Sequence, residues 1–510
     1  MLQTLALIIG LRNRPECAES LAPVAILSTL IQIGLRPMTK LQISPKARKT
    51  AVALALACSM GGPRMLAQDT RTVHEPVIPP VCTTLRAVLT NASATSGTLE
   101  ARADQAGSDT SGLDTVRIQT ALDHCPKAHA VELAPDAGNA AFLTGPIALR
   151  PGVTLLIDKG ATLYGSRNPE SYAITPESCG LVNDAPNGCK PLITVKMATG
   201  SGIMGDGAID GQGGERIVID GKLAAKSWWD LAEDARTAGR QQVPRMIDTD
   251  LSDDFTLYRI TLRNSPNFHV AFHRGDGFTV WGVKIDTPRT ARNTDGIDPA
   301  QSKNITITQS FIRTGDDNVA IKAGDGPTTN MTVIHNHFYW GHGMSIGSET
   351  NGGVSQIRVE DLSLDGPDNG IRIKSNPTRG GLVEDVVYSD VCIRDSKYPI
   401  VFDTAYSFPG KGVQDLPVYR DVTLSNVRML GGGKVQFNGF DNTHRIGVHM
   451  DGVVALDGPE RYKPQAIHTD LTFGPGPVNL VFTGDDSTVS GRQVKGGLPN
   501  CAAKFVPFPQ

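Results

Sequence analysis

Between Phe255 and Tyr388, short runs of apolar and polar residues return at a nearly constant interval. Phe255-Thr256-Leu257, Phe278-Thr279-Val280, Ile305-Thr306-Ile307, Met331-Thr332-Val333, Ile357-Arg358-Val359 and Val386-Val387-Tyr388 start 23, 27, 26, 26 and 29 residues apart. Most of them alternate apolar with polar, the period of two that a half-buried strand requires. A repeat of about 20 to 50 residues signals a solenoid or an array. The units are rich in Thr, Val, Ile, Asn and Gly, and several open on a turn such as Lys303-Asn304. That composition suits thin strands joined by tight corners better than helical repeats. The pattern predicts an all-β chain wound as a right-handed parallel β-helix, each coil made of about three short strands.

A set of polar clusters keeps the same beat. Asn293-Thr294-Asp295-Gly296, Gly315-Asp316-Asp317-Asn318, Gly341-His342-Gly343 and Arg372-Ile373-Lys374 follow one another, with 21, 26 and 30 residues separating Asp295, Asp316, His342 and Arg372. In stacked coils, a residue one period later lies about 4.8 Å above its counterpart. Asp295, Asp316 with Asp317, His342, and Arg372 with Lys374 are therefore expected to form one ladder on one face. Crowded carboxylates cost roughly 3 kcal/mol per close pair at an effective dielectric of about 20. A chain that keeps this cost has a chemical use for it. Cleaving a glycosidic bond needs one protonated carboxyl and one ionised carboxylate, held about 6.5–9.5 Å apart when a water must fit between them. A third carboxylate beside the acid is expected to raise its pKa. Arg372 and Lys374 would offset the repulsion of such a groove for an anionic substrate, the guanidinium being suited to a two-point grip on carboxylate.

Taken singly, these residues have plainer explanations. Asp295 and Asp317 sit in turn-like contexts where carboxylates satisfy backbone amides. His342 between two glycines suits a turn, and Arg372 and Lys374 suit a solvated face. Lys322 either faces the groove or is salt-bridged to the acids. Asn318 is expected to hold its turn, and Asn293 is a candidate sugar contact. It is the joint register of the three aspartates that argues for function.

The rest of the chain agrees with this frame. With 510 residues, 40% hydrophobic and 20% charged, it can bury a large core. A net charge of −3 gives no basic balance toward nucleic acid, so anion binding must be local. Residues 1–37 read as an upstream extension before a true start at Met38. Residues 38–67 read as a secretory signal: Lys40, Lys46, Arg48 and Lys49 precede the apolar run from Ala51 to Ala57, with cleavage near Ala67. Two core helices are the competing reading, but no tertiary partner for them is evident. No run reaches the ~20 apolar residues of a membrane span, so no membrane association is expected after signal removal. Residues 68–112 read as an extended lead-in and 113–510 as the β-helix domain. Within that domain, Asp114–Cys125 forms a short amphipathic helix over the open end. Val153–Tyr164 reads as the first full coil. Residues 175–234 read as an irregular loop walling the groove, with Trp228 and Trp229 packed in the wall or stacked on sugar. Beyond Met429, two ragged coils and a tail are expected.

Outside the upstream extension and the signal, the cysteines are Cys82, Cys125, Cys179, Cys189, Cys392 and Cys501. An even count in an exported chain is compatible with disulfides. Cys179–Cys189 and Cys82–Cys125 are the favoured pairs, and Cys392 reads equally as a buried thiol. No CxxC or HExxH spacing supports a metal site.

At the four polar clusters, the chain resembles the polygalacturonase family of pectin hydrolases, glycoside hydrolase family 28, whose signature motifs occur in this order at fitting spacing. The resemblance runs from about Asp114 to about Arg428, and Asn264-Ser265-Pro266-Asn267-Phe268-His269 is similar to bacterial secreted members. It implies a pectin-lyase-like β-helix, acting as a monomer without cofactor or metal on polygalacturonate. The implied reaction is hydrolysis of α-1,4 links with inversion. Asp316 would protonate the leaving oxygen, Asp295 and Asp317 would activate water, and His342 would support the acid. Arg372 and Lys374 would grip the sugar carboxylate, and Asn293 and Tyr406 would touch sugar. Internal cutting is the leading expectation. Exo-acting hydrolysis, a calcium-dependent lyase and a non-catalytic pectate-binding β-helix are the alternatives.

Overall fold

The computed structural model describes residues 68–105, 113–407 and 415–510. Residues 1–67, with the expected upstream extension, signal and cleavage site, lie outside the described residues. The chain winds into a parallel β-helix, as the periodicity predicts. Among the described residues, one sheet holds 21 strands and the sheet facing it across the core holds 11, with successive coils paired in parallel. The coil that contains Asp295 shows the plan. Ile297–Ala300 joins the smaller sheet, and Lys303–Thr308 and Phe311–Arg313 join the larger one.

The runs read from the sequence stack residue on residue. Phe255 pairs with Phe278, Phe278 with Ile305, Ile305 with Met331, Met331 with Ile357 and Ile357 with Val386. All six are fully buried. Each coil thus adds an apolar rung directly over the last, and the core is a column of such rungs. Phe278 shows the packing, its ring stacking 5.6 Å from Phe255 and 4.5 Å from Phe272. Lys303-Asn304 is not a turn but the start of a strand, which it interrupts locally. Asn304 takes a φ of 56°, in the left-handed region that asparagine tolerates, and the ladder steps over it between Lys303 and Ile305.

The N-terminal half departs from expectation in three places. Stacking begins before Val153, because Val81–Arg86 pairs with His129–Ala134, which pairs with Val153–Ile157. The presumed lead-in is also more structured than its composition suggests. Asp69 accepts from Thr306 Oγ1 at 2.8 Å on the outer face of the sheet, and helices form at Asn91–Ala94 and Thr98–Gln105. The stretch at 175–234 is no irregular loop: Ile193–Lys196, Gly202–Met204 and Ala208–Asp210 make a regular coil, and the segments before and after it fold as a wall. Leu181–Asn183 pairs antiparallel with Arg240–Gln242, and Ser227 caps a helix over Trp228–Ala238. Trp228 is fully buried, edge-on to Tyr172 at 6.0 Å, and Trp229 Nε1 donates to the Ser265 carbonyl at 2.9 Å. Both tryptophans pack in the wall.

The amphipathic helix forms over Thr115–His124 and buries Ile118 and Leu122. Cys82 is bonded to Cys125, with Cα atoms 5.8 Å apart, and Cys179 to Cys189 at 5.0 Å. Cys392 is not a free thiol; it is bonded to Cys501, 109 residues on. From that anchor the C-terminal tail runs back over earlier coils. Lys504 pairs with Asp361 and Asp390, Phe508 lies 4.0 Å from the Arg313 guanidinium, and Lys284 Nζ reaches the Gln510 carbonyl at 3.4 Å. No described helix is long and apolar enough to cross a membrane.

Truncating Phe278 to Ala removes a ring shared by adjacent rungs. It is expected to cost about 3–5 kcal/mol, read as a lowered midpoint in thermal or denaturant unfolding.

Candidate active site

The smaller sheet turns outward every second side chain along its strands, and the turn before each strand delivers a polar residue to the same face. Ile297, Val319, Met344 and Ile371 are in register across four coils. Asp295, Asp317 and His342 each lie two residues ahead of that row, with Asp316 beside them. Backbone bonds pin these turns: His342 N–H donates to the Asp316 carbonyl at 2.8 Å and Gly296 N–H to the Asp317 carbonyl at 2.9 Å. Glycine is required at two points. A Cβ on Gly315 would lie 1.8 Å from the Ala291 carbonyl oxygen, and Gly343, with φ at +72°, would place one 2.0 Å from the Asn369 oxygen.

The bases do not continue the same row, so the single ladder read from the sequence is corrected here. Arg372 pairs with Ser345 on the strands, three positions beyond the aspartate row, and Lys374 lies two further on. The two groups still converge. Asp317 Oδ2 lies 2.7 Å from Lys374 Nζ, while Asp317 Oδ1 accepts from Ser345 Oγ at 2.7 Å and faces Arg372 Nη1 at 3.4 Å. Tyr406 lies over both cations, its ring centre 5.0 Å from the Arg372 guanidinium carbon and 5.2 Å from Lys374 Nζ. His342 Nδ1 meets Asp316 Oδ1 at 3.0 Å, and Asn293 Nδ2 reaches Asp316 Oδ2 at 3.4 Å.

Of the two readings of Lys322, the ion pair holds, with Nζ 2.7 Å from Asp298 Oδ2 and 3.6 Å from Asp295 Oδ2. Sequence reasoning missed several other neighbours. Asp298 and Ser345 sit at alternate, outward positions of Ile297-Asp298-Pro299-Ala300 and Met344-Ser345-Ile346, and period-two counting from the turn would have found them. Gln241, from the wall, donates to Asn293 Oδ1 at 3.4 Å. Asn318 holds its turn as expected, accepting from Gly343 N–H at 3.0 Å and donating to the Trp340 carbonyl at 3.1 Å.

Residues 144–472 match the family described as Glycosyl hydrolases family 28. The chain belongs to this family. It is therefore a glycoside hydrolase, and the match extends past Arg428, where the motif resemblance ended. An endo-polygalacturonase of Pectobacterium parmentieri is 46% identical over 390 residues, covering 76% of this chain and 90% of that protein. A polygalacturonase of Ralstonia nicotianae is 38% identical over 524 residues, covering 90% and 97%. The solved polygalacturonase of Erwinia carotovora ssp. carotovora is 41% identical with a TM-score of 0.66, covering 84% of this chain and 99% of its own.

The charges of this family 28 hydrolase are sorted by their partners. Burial pushes every site carboxyl up. At Asp317 the Lys374 and Arg372 charges outweigh burial and hold it below its ordinary range. At Asp316, burial is overcome by the His342 hydrogen bond and charge, then by Lys374 and the Asp317 N–H, so this acid is held low. The His342 imidazole is correspondingly raised above 6.5 despite its burial. The sequence expectation of a raised Asp316 is thus reversed in the free site, because the imidazole, with Lys374 and the Asp317 N–H, outweighs burial. The 3.0 Å contact between His342 Nδ1 and Asp316 Oδ1 favours the charged form of each partner. Asp295 is pushed well up by burial, then by Asp298 and Asp316, against Lys322. Asp298 is pushed up to about 6, chiefly by burial.

Asp316, Asp317 and His342 bring ligand atoms within 4.8 Å of one another, close enough for a cation. The Lys374 and Arg372 cations and the His342 proton already answer those carboxylates, which disfavours a further positive charge. The cleft of about 530 Å³ between the tail and Arg263, Lys284 and Arg313 on the other sheet contains none of these groups.

The His342 ring is expected to titrate above 6.5 in NMR, and Asp316→Asn to bring that pKa down. Since the folded value exceeds the unfolded one, His342 contributes its full stabilisation below pH 6.5, down to the acid range where Asp316 itself takes up a proton. That contribution is lost as pH rises through the folded pKa.

Proposed function

We propose that this hydrolase cleaves α-1,4 links of polygalacturonate with inversion, cutting inside the chain, as an exported enzyme acting on pectin. The observation that carries the reading is the meeting of Arg372 and Lys374, under the Tyr406 ring, with the aspartate cluster. A groove with acids to break a glycosidic bond and a cation pair to hold a carboxylate suits a sugar polymer that is itself anionic. Relatives named endo-polygalacturonase at 46% and 45% identity support internal cutting. Three disulfides support an oxidising destination.

In this reading Asp316 gives a proton to the glycosidic oxygen as the C1–O bond breaks. The His342 proton moves onto the carboxyl when the bound sugar carboxylate draws Lys374 and Arg372 toward itself. Asp295 and Asp317 take a proton from a water that attacks C1 from the opposite face, forming the new C1–O bond. Asn293 and Tyr406 line the sugar path.

Asp316→Asn is expected to lower kcat by about 10²–10⁴-fold while binding of oligogalacturonate persists. Near-normal turnover sinks the assignment. NMR of the first reducing ends should show the β anomer, and early products should be oligomers; monomer alone from the outset points to exo action. Lys374→Met should raise KM by about 10- to 100-fold on polygalacturonate and less on a methyl-esterified substrate, because only the free carboxylate meets the ammonium. Equal losses on both substrates contradict a carboxylate-binding role.

A further inference from the structure

Each buried carboxylate of the site needs a cation, and the pairing leaves one residue with no assigned role. Asp316 is paired with His342, and Asp317 with Lys374 and Arg372. Asp295 is 4% exposed and faces Asp298, Asp316 and Asp317. Its ion pair is with Lys322 Nζ at 3.6 Å. Lys322 follows the strand Val319–Ile321, rests its ammonium 4.4 Å from the centre of the Phe268 ring, and is pinned by Asp298 Oδ2 at 2.7 Å.

We propose that Lys322, held by Asp298, is the positioning residue that pairs with Asp295 and favours its carboxylate form, the form able to accept the proton of the attacking water. The inference rests on the reading of Asp295 as a water-activating base and assigns that base its electrostatic support. The other charges on the surrounding coils each have their own partner. Glu349 pairs with Arg379 at 2.9 Å, Asp248 with Arg245 at 2.7 Å, and Asp250 with Arg274 at 2.7 Å. His273 is bonded to Arg245 at 3.3 Å, and its burial lowers its pKa and favours the neutral ring. Burial and three carboxylates push the Asp295 pKa up, while Lys322 pulls it down. Asp298 acts in two opposed ways, since it fixes the ammonium in place and also repels Asp295.

The test is the pH dependence of kcat/KM on polygalacturonate for the full chain and four variants. K322M should move the acid limb up by about one pH unit, a roughly tenfold loss below it, with KM little changed. K322R should return the limb to its original place. D298N, which keeps the lysine and removes a neighbouring charge, should move the limb down, so the two neighbours shift it in opposite directions. If K322M does not fold, K322Q replaces it, removing the same charge while keeping a polar group beside Asp298. An acid limb unmoved in K322M and D298N, alongside an inactive D295N, overturns the proposal. An active D295N instead overturns the reading of Asp295 on which it rests.

Discussion

The parallel ladder of the smaller sheet holds successive coils about 4.8 Å apart, and that spacing assembles a site from single residues far apart in sequence. Asp295, Asp317 and His342 enter from equivalent turns because Ile297, Val319 and Met344 are in register behind them. The register is enforced by the core. A slip of one residue would turn the buried rungs of Ile297, Val319 and Met344 toward water and Asp298, Ala320 and Ser345 inward. Hydrophobic stacking on one side of the sheet thus sets polar geometry on the other.

Placing four carboxylates in so small a volume creates an electrostatic problem that the fold solves by allotment. Asp317 faces two strand-borne cations, Asp316 a histidine from the next turn, and Asp295 and Asp298 a lysine between them. The partners differ in strength, so the acids separate along the pH scale although their intrinsic chemistry is the same. Separated acids are what glycoside hydrolysis requires of a group of carboxylates, and here the separation follows from which coil supplies which cation.

The coil period, the core rungs and the four polar clusters were legible in the sequence because a solenoid writes its geometry as spacing. The three-residue offset of Arg372 from the aspartate row was not, since turn lengths differ from coil to coil and only strand pairing reveals where a count restarts. Asp298 and Ser345 were missed for a related reason: each is a single polar residue within an apolar strand, ordinary until its outward direction is known. The wall helix at Trp228–Ala238 went unread because it does not repeat, and the early strand Val81–Arg86 because the chain between it and its partner His129–Ala134 is far longer than one coil. A pattern search built on period does not register an element that occurs once. The Cys392–Cys501 bond is the same kind of miss, joining segments 109 residues apart that no local spacing connects.

In a solenoid, each coil touches only its neighbours, so an end can peel away one layer at a time. The C-terminal tail changes that rule. It is covalently tied at Cys392 and clasped at Asp361, Arg313 and Lys284, and so links the last segment to coils in the middle of the stack. Fraying from the C-terminal end must release this clasp before the outer coils separate, which binds the central and terminal layers into one cooperative block. A protease reaching the final residues would then do more than trim them; it would return the stack to nearest-neighbour behaviour and let it unravel in steps.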